Sequence, residues 1–258
     1  MAIYSFRYTQ GYSLVELSVV IMIGGIVAAA LMSAYTPTIA KNLVITKTTE
    51  MTRVNDAIIL FSKRNHRLPC VDTVGEGLEN CSPVQVSGGV PYITLGLAPK
   101  TVVGEGAGAD LIYAVYRNTP DADLATLIER TGDSPADNNY LNVDDFRSAL
   151  ISAASASLNT SYLTVTGDGW SASSSSSFCV DNAVSNVAFA LISGGGFDMD
   201  MDPNNSIFDG PHNTVTWPWP AGNDVKCFAS PLMRSSSIYD DTVLVTTFVQ
   251  LISYLKQY

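Results

Sequence analysis

Gly11-Tyr12-Ser13-Leu14-Val15-Glu16-Leu17 opens a run in which, from Leu17 to Met32, Ser18 is the one polar side chain. Leu14 to Met32 covers 19 residues, which as an α-helix is about 28 Å long, close to the ~30 Å hydrocarbon core of a bilayer. A segment of that length and apolarity enters a membrane. It can do so as an ordinary secretory signal, with Arg7 as the basic region and cleavage at or just after Ala28-Ala29-Ala30. It can also be a permanent single-span anchor, or a precursor cut between Gly11 and Tyr12 that keeps the apolar stretch on the mature chain. Glu16 separates these readings. A carboxylate in an apolar helix costs roughly 2.5–3.5 kcal/mol at mid-bilayer and less near an edge, and neither a cleaved signal nor a plain anchor has a use for it. After a cut at Gly11, Tyr12 carries a new α-amino group four residues from Glu16. In a helical filament the carboxylate of one subunit then meets the ammonium of its neighbour. That pairing offsets part of the desolvation of both charges and fixes axial register.

These residues resemble the type IV prepilin processing motif shared by pilins, minor pilins and type II secretion pseudopilins. A short leader, a glycine, a glutamate five residues into the mature chain and an apolar helix occur together over roughly residues 5–32. The resemblance implies cleavage after Gly11 by a prepilin peptidase, N-methylation of Tyr12, and Glu16 as the assembly residue. It also implies single-pass residence in the inner membrane with the body in the periplasm, and then assembly with other pilin or pseudopilin subunits. Tyr12 stands where phenylalanine or methionine is usual, Gln10 rather than a base precedes Gly11, and Pro37 comes later than in the commonest major pilins. Gly24 and Gly25 match the family's weak spot in this helix.

Beyond the apolar run, Pro37 predicts a kink or local opening, since it lacks an amide hydrogen and clashes with the preceding turn. Ile39, Leu43, Met51, Val54, Ile58 and Phe61 then recur at three- and four-residue steps, with a gap near Thr46–Lys47. This is an amphipathic helical stripe, ending near Arg64–Asn65 before Leu68-Pro69. Lys41, Lys47, Arg53, Lys63 and Arg64 fall mostly off it.

Net charge is −10 over 258 residues, and it is divided unevenly. Residues 12–65 carry five positive and three negative charges, and residues 66–258 carry eight and twenty-one. An acidic body argues against sequence-independent nucleic-acid binding, which needs lysine and arginine to release phosphate counterions. In the body, Leu111–Tyr116, Tyr162–Val165, Val184–Ile192 and Asp240–Thr246 predict strands. Asp144–Leu158 predicts a helix, Thr247–Tyr258 a helix or strand, and the serine run at 171–177 a loop. The fold expected is α+β: a long N-terminal helix, membrane half plus amphipathic half, packed on an antiparallel sheet, pilin-like with large loop insertions. The divisions are a leader at 1–11, the transmembrane half at 12–35, the amphipathic half at 36–65 and a globular domain at 66–258. Leu68-Pro69-Cys70, Gly89–Leu97, Ala190–Gly195 and Tyr239–Val243 are similar to short segments of large minor-pilin-like proteins.

Four cysteines without a CxxC behind an export segment favour disulfides over zinc. Of the three pairings, Cys70–Cys81 (a short loop) with Cys179–Cys227 is preferred, with four buried free thiols as the alternative. Asp198-Met199-Asp200-Met201-Asp202, with Asp209 at the twelfth position, has the oxygen spacing of the first calcium-loop ligands. Pro203 replaces the turn glycine, so this is not an EF-hand. The choice lies between a calcium site on Asp198, Asp200, Asp202 and Asp209 and a solvated acidic loop. No GxSxG, HExxH or P-loop occurs. His66 and His212 are far apart, Asp240-Asp241 suits a turn cap at a strand start, and Trp217-Pro218-Trp219-Pro220 a stiff loop closing a core edge. No catalytic role is expected. The resemblance implies a structural subunit of a pilus or secretion filament. The rival is a soluble binding protein or hydrolase released by signal peptidase.

Overall fold

The computed structural model describes residues 14–82, 84–98, 111–118, 120–130, 141–167, 181–195, 208, 209, 212, 224–236 and 239–256, with side chains at 29–46 and 120 excepted. The chain divides into two units, Met1–Leu43 and Val44–Tyr258.

Helix α1 spans Leu14–Asn65 and contributes to both units. The helix runs unbroken through Pro37. In the first unit, the described side chains at 14–28 are all exposed. They include Leu14, Val15, Leu17, Val20, Ile21 and Ile26, which lie around the whole helix rather than along one stripe. No helix among the described residues is long and apolar enough to cross a membrane. The described side chains of the apolar run end at residue 28, about 22 Å along the helix from Leu14, short of the ~30 Å core. The remainder of the Leu14–Met32 stretch lies outside them.

In the second unit the expected stripe is present: Met51, Val54 and Ile58 are buried, joined by Ile59. Phe61 is half-buried beneath Arg67, whose guanidinium carbon lies 5.1 Å from the ring centre. The helix stops where Leu68-Pro69 requires. His66 adopts φ 52°, and its amide donates to Ser62 O at 2.9 Å, a left-handed terminator in the place usually given to glycine.

Strands β1 (Ser87–Gly89), β2 (Leu111–Val115), β5 (Phe189–Ser193) and β7 (Thr242–Thr246) form an antiparallel sheet in the order β1-β2-β5-β7. Every residue of β2 and β5 is buried, so both faces of the sheet centre are covered. Strands β3 (Thr164–Thr166), β4 (Ala183–Asn186) and β6 (Cys227–Phe228) form a second sheet, in which β3 and β6 run parallel. The single strand expected over Val184–Ile192 is therefore two strands in two sheets. The switch falls at consecutive amides: Val187 N donates to Leu163 O in the small sheet at 3.4 Å, and Ala188 N to Thr246 O in the large one at 3.0 Å. The apolar run continues through the switch because Val187 and Ala188 are both fully buried.

Helix α2 (Val143–Ser155) begins with a capping box of Asn142 and Asp145 and ends earlier than Leu158. Helix α3 (Phe248–Leu255) begins with a second box, Thr247 and Gln250, which settles the helix-or-strand ambiguity at the C-terminus. Phe146, Leu150, Phe248, Leu251 and Leu255 join the α1 stripe and the strands in one apolar core. Thr246 Oγ1 donates to Asn55 Oδ1 at 3.0 Å, which places α1 beside β7. The α+β class and the helix-on-sheet arrangement are thus present in the body, with a second, mixed sheet added.

Cys70 and Cys81 are bonded, with Cα atoms 5.2 Å apart. Cys227 is also disulfide-bonded, and Cys179 lies outside the described residues. Replacing both Cys70 and Cys81 with alanine is expected to lower stability by about 2–3 kcal/mol, the loop-closure entropy of an 11-residue separation. Urea unfolding of the detergent-solubilised chain, with and without reductant, checks this: reductant reproduces the Cys70/Cys81 part of the loss in the parent, and the double variant lacks that part of the response.

Candidate functional site

Gly11 and Tyr12 lie outside the described residues. Glu16 sits in the first turn of α1, where a carboxylate complements the positive end of the helix dipole. It is exposed, and so is the apolar surface around it. An added Cβ at Gly24 or Gly25 would meet nothing within 4 Å. An apolar surface exposed all round a helix is an interaction surface rather than a solvated one.

Of the aspartates proposed to hold calcium, Asp198, Asp200 and Asp202 lie outside the described residues. Asp209 is described and fully buried, and its neighbours are Asp240 and Asp241. One oxygen from each of the three carboxylates lies within 4.8 Å of the others. The Asp240 amide donates to Asp209 Oδ2 at 2.9 Å, and the Asp209 amide to Asp241 Oδ2 at 3.0 Å. Asp241 Oδ1 accepts from the Gly195 amide at 3.3 Å. The bonds of Asp241 run across to two other segments, at residues 195 and 209. Burial pushes the Asp241 carboxyl above its ordinary value, while the hydrogen bond and charge of His212 hold it down. Burial, with the nearby carboxylates, pushes the Tyr239 phenol far up.

His212 is fully buried between Phe228 and Tyr239, with ring centres at 5.7 and 6.1 Å. Its Nδ1 lies 2.7 Å from Asp241 Oδ2, and its Nε2 accepts from the Ala229 amide at 3.0 Å. An acceptor Nε2 places the ring proton on Nδ1, directed at the carboxylate. An aspartate–histidine pair can activate a nucleophile only if the far nitrogen is open to substrate. Here a backbone amide occupies that nitrogen, so the pair ties β6 to the start of β7.

Lys47 completes the cluster, and the sequence reading missed it. It is 7% exposed, and its Nζ donates to Gly194 O and Gly195 O at the end of β5. Burial pulls its pKa below 10.5, while Asp240, Asp241 and Glu50 push it back up. The available signal was the gap in the stripe. Leu43, Lys47 and Met51 are four residues apart, so Lys47 falls on the inner face rather than off it.

Around the disulfide, Glu79 accepts from Arg67 on both oxygens at 2.7 Å and from the Cys70 amide at 2.9 Å. Burial alone would raise the Glu79 pKa. Arg67 and the Cys70 amide outweigh it and leave the value below 4.5. A carboxylate depressed in the folded state adds stability above its unfolded pKa, and that stability is lost as pH falls through the folded value. Glu79→Gln is expected to cost about 1 kcal/mol at pH 7, allowing for solvent screening of a part-exposed pair. Urea unfolding at neutral pH and near pH 3 checks this, since the gap between variant and parent closes in acid. Both sulfurs are in the disulfide, so Cys70, Glu79 and Cys81 do not supply thiolate ligands.

Residues 6–32 match the family model described as the prokaryotic N-terminal methylation motif. This motif is the hallmark of the prepilin-type signal of type IV pilins and pseudopilins, and the match takes in Gly11, Tyr12, Glu16 and the apolar run. No curated protein and no solved structure matches the chain.

Proposed function

We propose that the chain is a structural filament subunit, a minor pilin or pseudopilin of a type IV pilus or type II secretion filament. A prepilin peptidase cuts it after Gly11 and methylates Tyr12. Its N-terminal helix resides in the inner membrane and then moves laterally into the filament core, where Glu16 pairs with a neighbour's Tyr12 amine. The acidic body faces the periplasm and later the filament surface. The observation that carries this reading is the methylation motif at residues 6–32, with Glu16 inside it.

Two features of the structure support it. The apolar side chains from Leu14 to Val27 are exposed around the whole helix, as suits a segment that exchanges lipid for helix partners. From Met51 onward the same helix buries a single stripe in the body, so helix and body are one folded piece at that end. The alternative is a binding protein or hydrolase released by signal peptidase. Shearing and pelleting surface filaments from cells producing the chain separates the two. The filament reading predicts recovery of the chain in the pellet, dependent on prepilin peptidase. Recovery as a soluble periplasmic protein, independent of that enzyme, contradicts it.

A further inference from the structure

The Cys70–Cys81 disulfide joins two sulfurs in unlike surroundings. Cys70 is fully buried, whereas Cys81 is exposed. Arg117 Nη1 lies 4.0 Å from Cys70 Sγ, and its guanidinium is fixed there by Asp123, which accepts from Nη2 at 2.9 Å. Glu79 Oε2 lies 3.9 Å from Cys81 Sγ, with its charge taken up by Arg67. The loop between the cysteines is closed by bonds that use neither sulfur. The Asn80 amide donates to Val71 O at 2.9 Å, one residue inside each cysteine, and Asn80 Nδ2 donates to Thr73 Oγ1 at 2.9 Å. The buried Asp72 carboxylate accepts from the amides of Val74 at 3.0 Å, Gly75 at 2.8 Å and Gly77 at 2.5 Å. Gly77 O accepts from the Ile93 amide at 2.8 Å, which fastens the middle of the loop to the next segment. Two thiols at these positions are therefore held together by the fold before any bond joins them.

We propose that this bond is made in the already folded body by an external disulfide that enters at Cys81, with Cys70 as the resolving thiol. The Cys81 thiolate attacks the external disulfide, expels one of its sulfurs as a thiolate and leaves a mixed disulfide on Cys81. The Cys70 thiolate then attacks Cys81 Sγ and expels the second sulfur. The two thiol protons leave with the two expelled thiolates, which are the reduced form of the oxidant. Exchange rates follow access and thiolate character. Access selects Cys81 for the first step, because the body covers Cys70. The guanidinium of Arg117 beside Cys70 favours the thiolate needed for the second. The hydrogen bonds of the loop select the partner, since they hold Cys81 against Cys70 while the mixed disulfide waits. This assignment stands on the body alone and does not depend on the filament reading.

Oxidised glutathione is the probe, with the full chain in detergent micelles and peptide mapping by mass spectrometry as the readout. In Cys70→Ser, Cys81 is expected to take up glutathione while the body stays folded. In Cys81→Ser, Cys70 is expected to do so at least about tenfold more slowly, and at a similar rate to Cys81 once urea unfolds both chains. The parent, reduced with dithiothreitol below its unfolding transition, is expected to recover the Cys70–Cys81 bond in oxidised glutathione with no lasting adduct. No uptake at Cys81 in folded Cys70→Ser overturns the proposal, as does a smaller difference between the two folded variants. So does a lasting Cys81 adduct in the parent, since Cys70 then fails to resolve it. A parent bond that dithiothreitol opens only on unfolding also overturns it, because exchange in either direction passes through the same sulfur. Single variants that do not unfold cooperatively overturn it too, since the loop then needs the bond in order to close.

Discussion

Replacing Glu16 with alanine is expected to leave cleavage after Gly11 intact and to cut incorporation into filaments by at least about tenfold. On the proposed filament reading the peptidase acts at the Gly11–Tyr12 bond, ahead of Glu16, and the substitution takes no apolar residue from the apolar run. On that reading, what the substitution removes is the partner of the Tyr12 ammonium. In an apolar filament core an unpaired ammonium is costly, and removing one member of a buried ion pair typically costs about 3–5 kcal/mol. Glu16→Gln tests charge against shape, and the ion-pair account expects it to fail nearly as badly as alanine. The measurement is the fraction of chain in sheared filaments relative to the membrane, by immunoblot. Normal incorporation of either variant contradicts the pairing mechanism.

The second large effect lies in the body. Asp241→Ala is expected to destabilise it by about 3–5 kcal/mol, the loss typical when a buried hydrogen-bonded charge loses its partner. Three donors lose their acceptor at once: His212 Nδ1 at 2.7 Å and the amides of Asp209 at 3.0 Å and Gly195 at 3.3 Å. No solvent reaches the His212 and Asp241 side chains to replace it, since both are 0% exposed. Asp241→Asn retains an acceptor oxygen and is expected to lose less than half as much. Chemical unfolding of both variants checks this, and a loss under about 1 kcal/mol for alanine would show that the cluster is not what ties β7 to the loop at 209 and the strand end at 195.

Much of this was legible in the sequence, where one pattern carried one meaning. The α1 stripe at Met51, Val54 and Ile58, the all-buried strand at Leu111–Val115 and the helix opening at Val143 follow from periodicity and capping residues. The Val184–Ile192 run was misread because burial persists through the switch between sheets. Periodicity reports burial, whereas the break lies in where two successive amides find their acceptors. Lys47 sits on the stripe, although a lysine at a gap in the apolar pattern reads as solvent-facing. Its true position follows from the four-residue step, but its acceptors come from residues 194 and 195, and no local pattern reveals a contact across that separation. Asp209 was grouped with Asp198, Asp200 and Asp202 by spacing, yet its carboxylate neighbours come from the start of β7. Asp240-Asp241 reads locally as a turn cap, whereas Asp241 bonds the amides of residues 195 and 209, far along the chain. His212 could not be assigned from the sequence, because an aspartate–histidine pair differs from a structural tie only in what the second nitrogen meets.

The filament account stands on the methylation motif, and the motif makes a claim about one bond. Intact mass and N-terminal sequencing of the mature chain, purified from a host with a prepilin peptidase, test it most directly. The account predicts a mature chain that begins at Tyr12, with the apolar helix and Glu16 retained. A mature chain that begins near residues 31–36, or one that still begins at Met1, contradicts it.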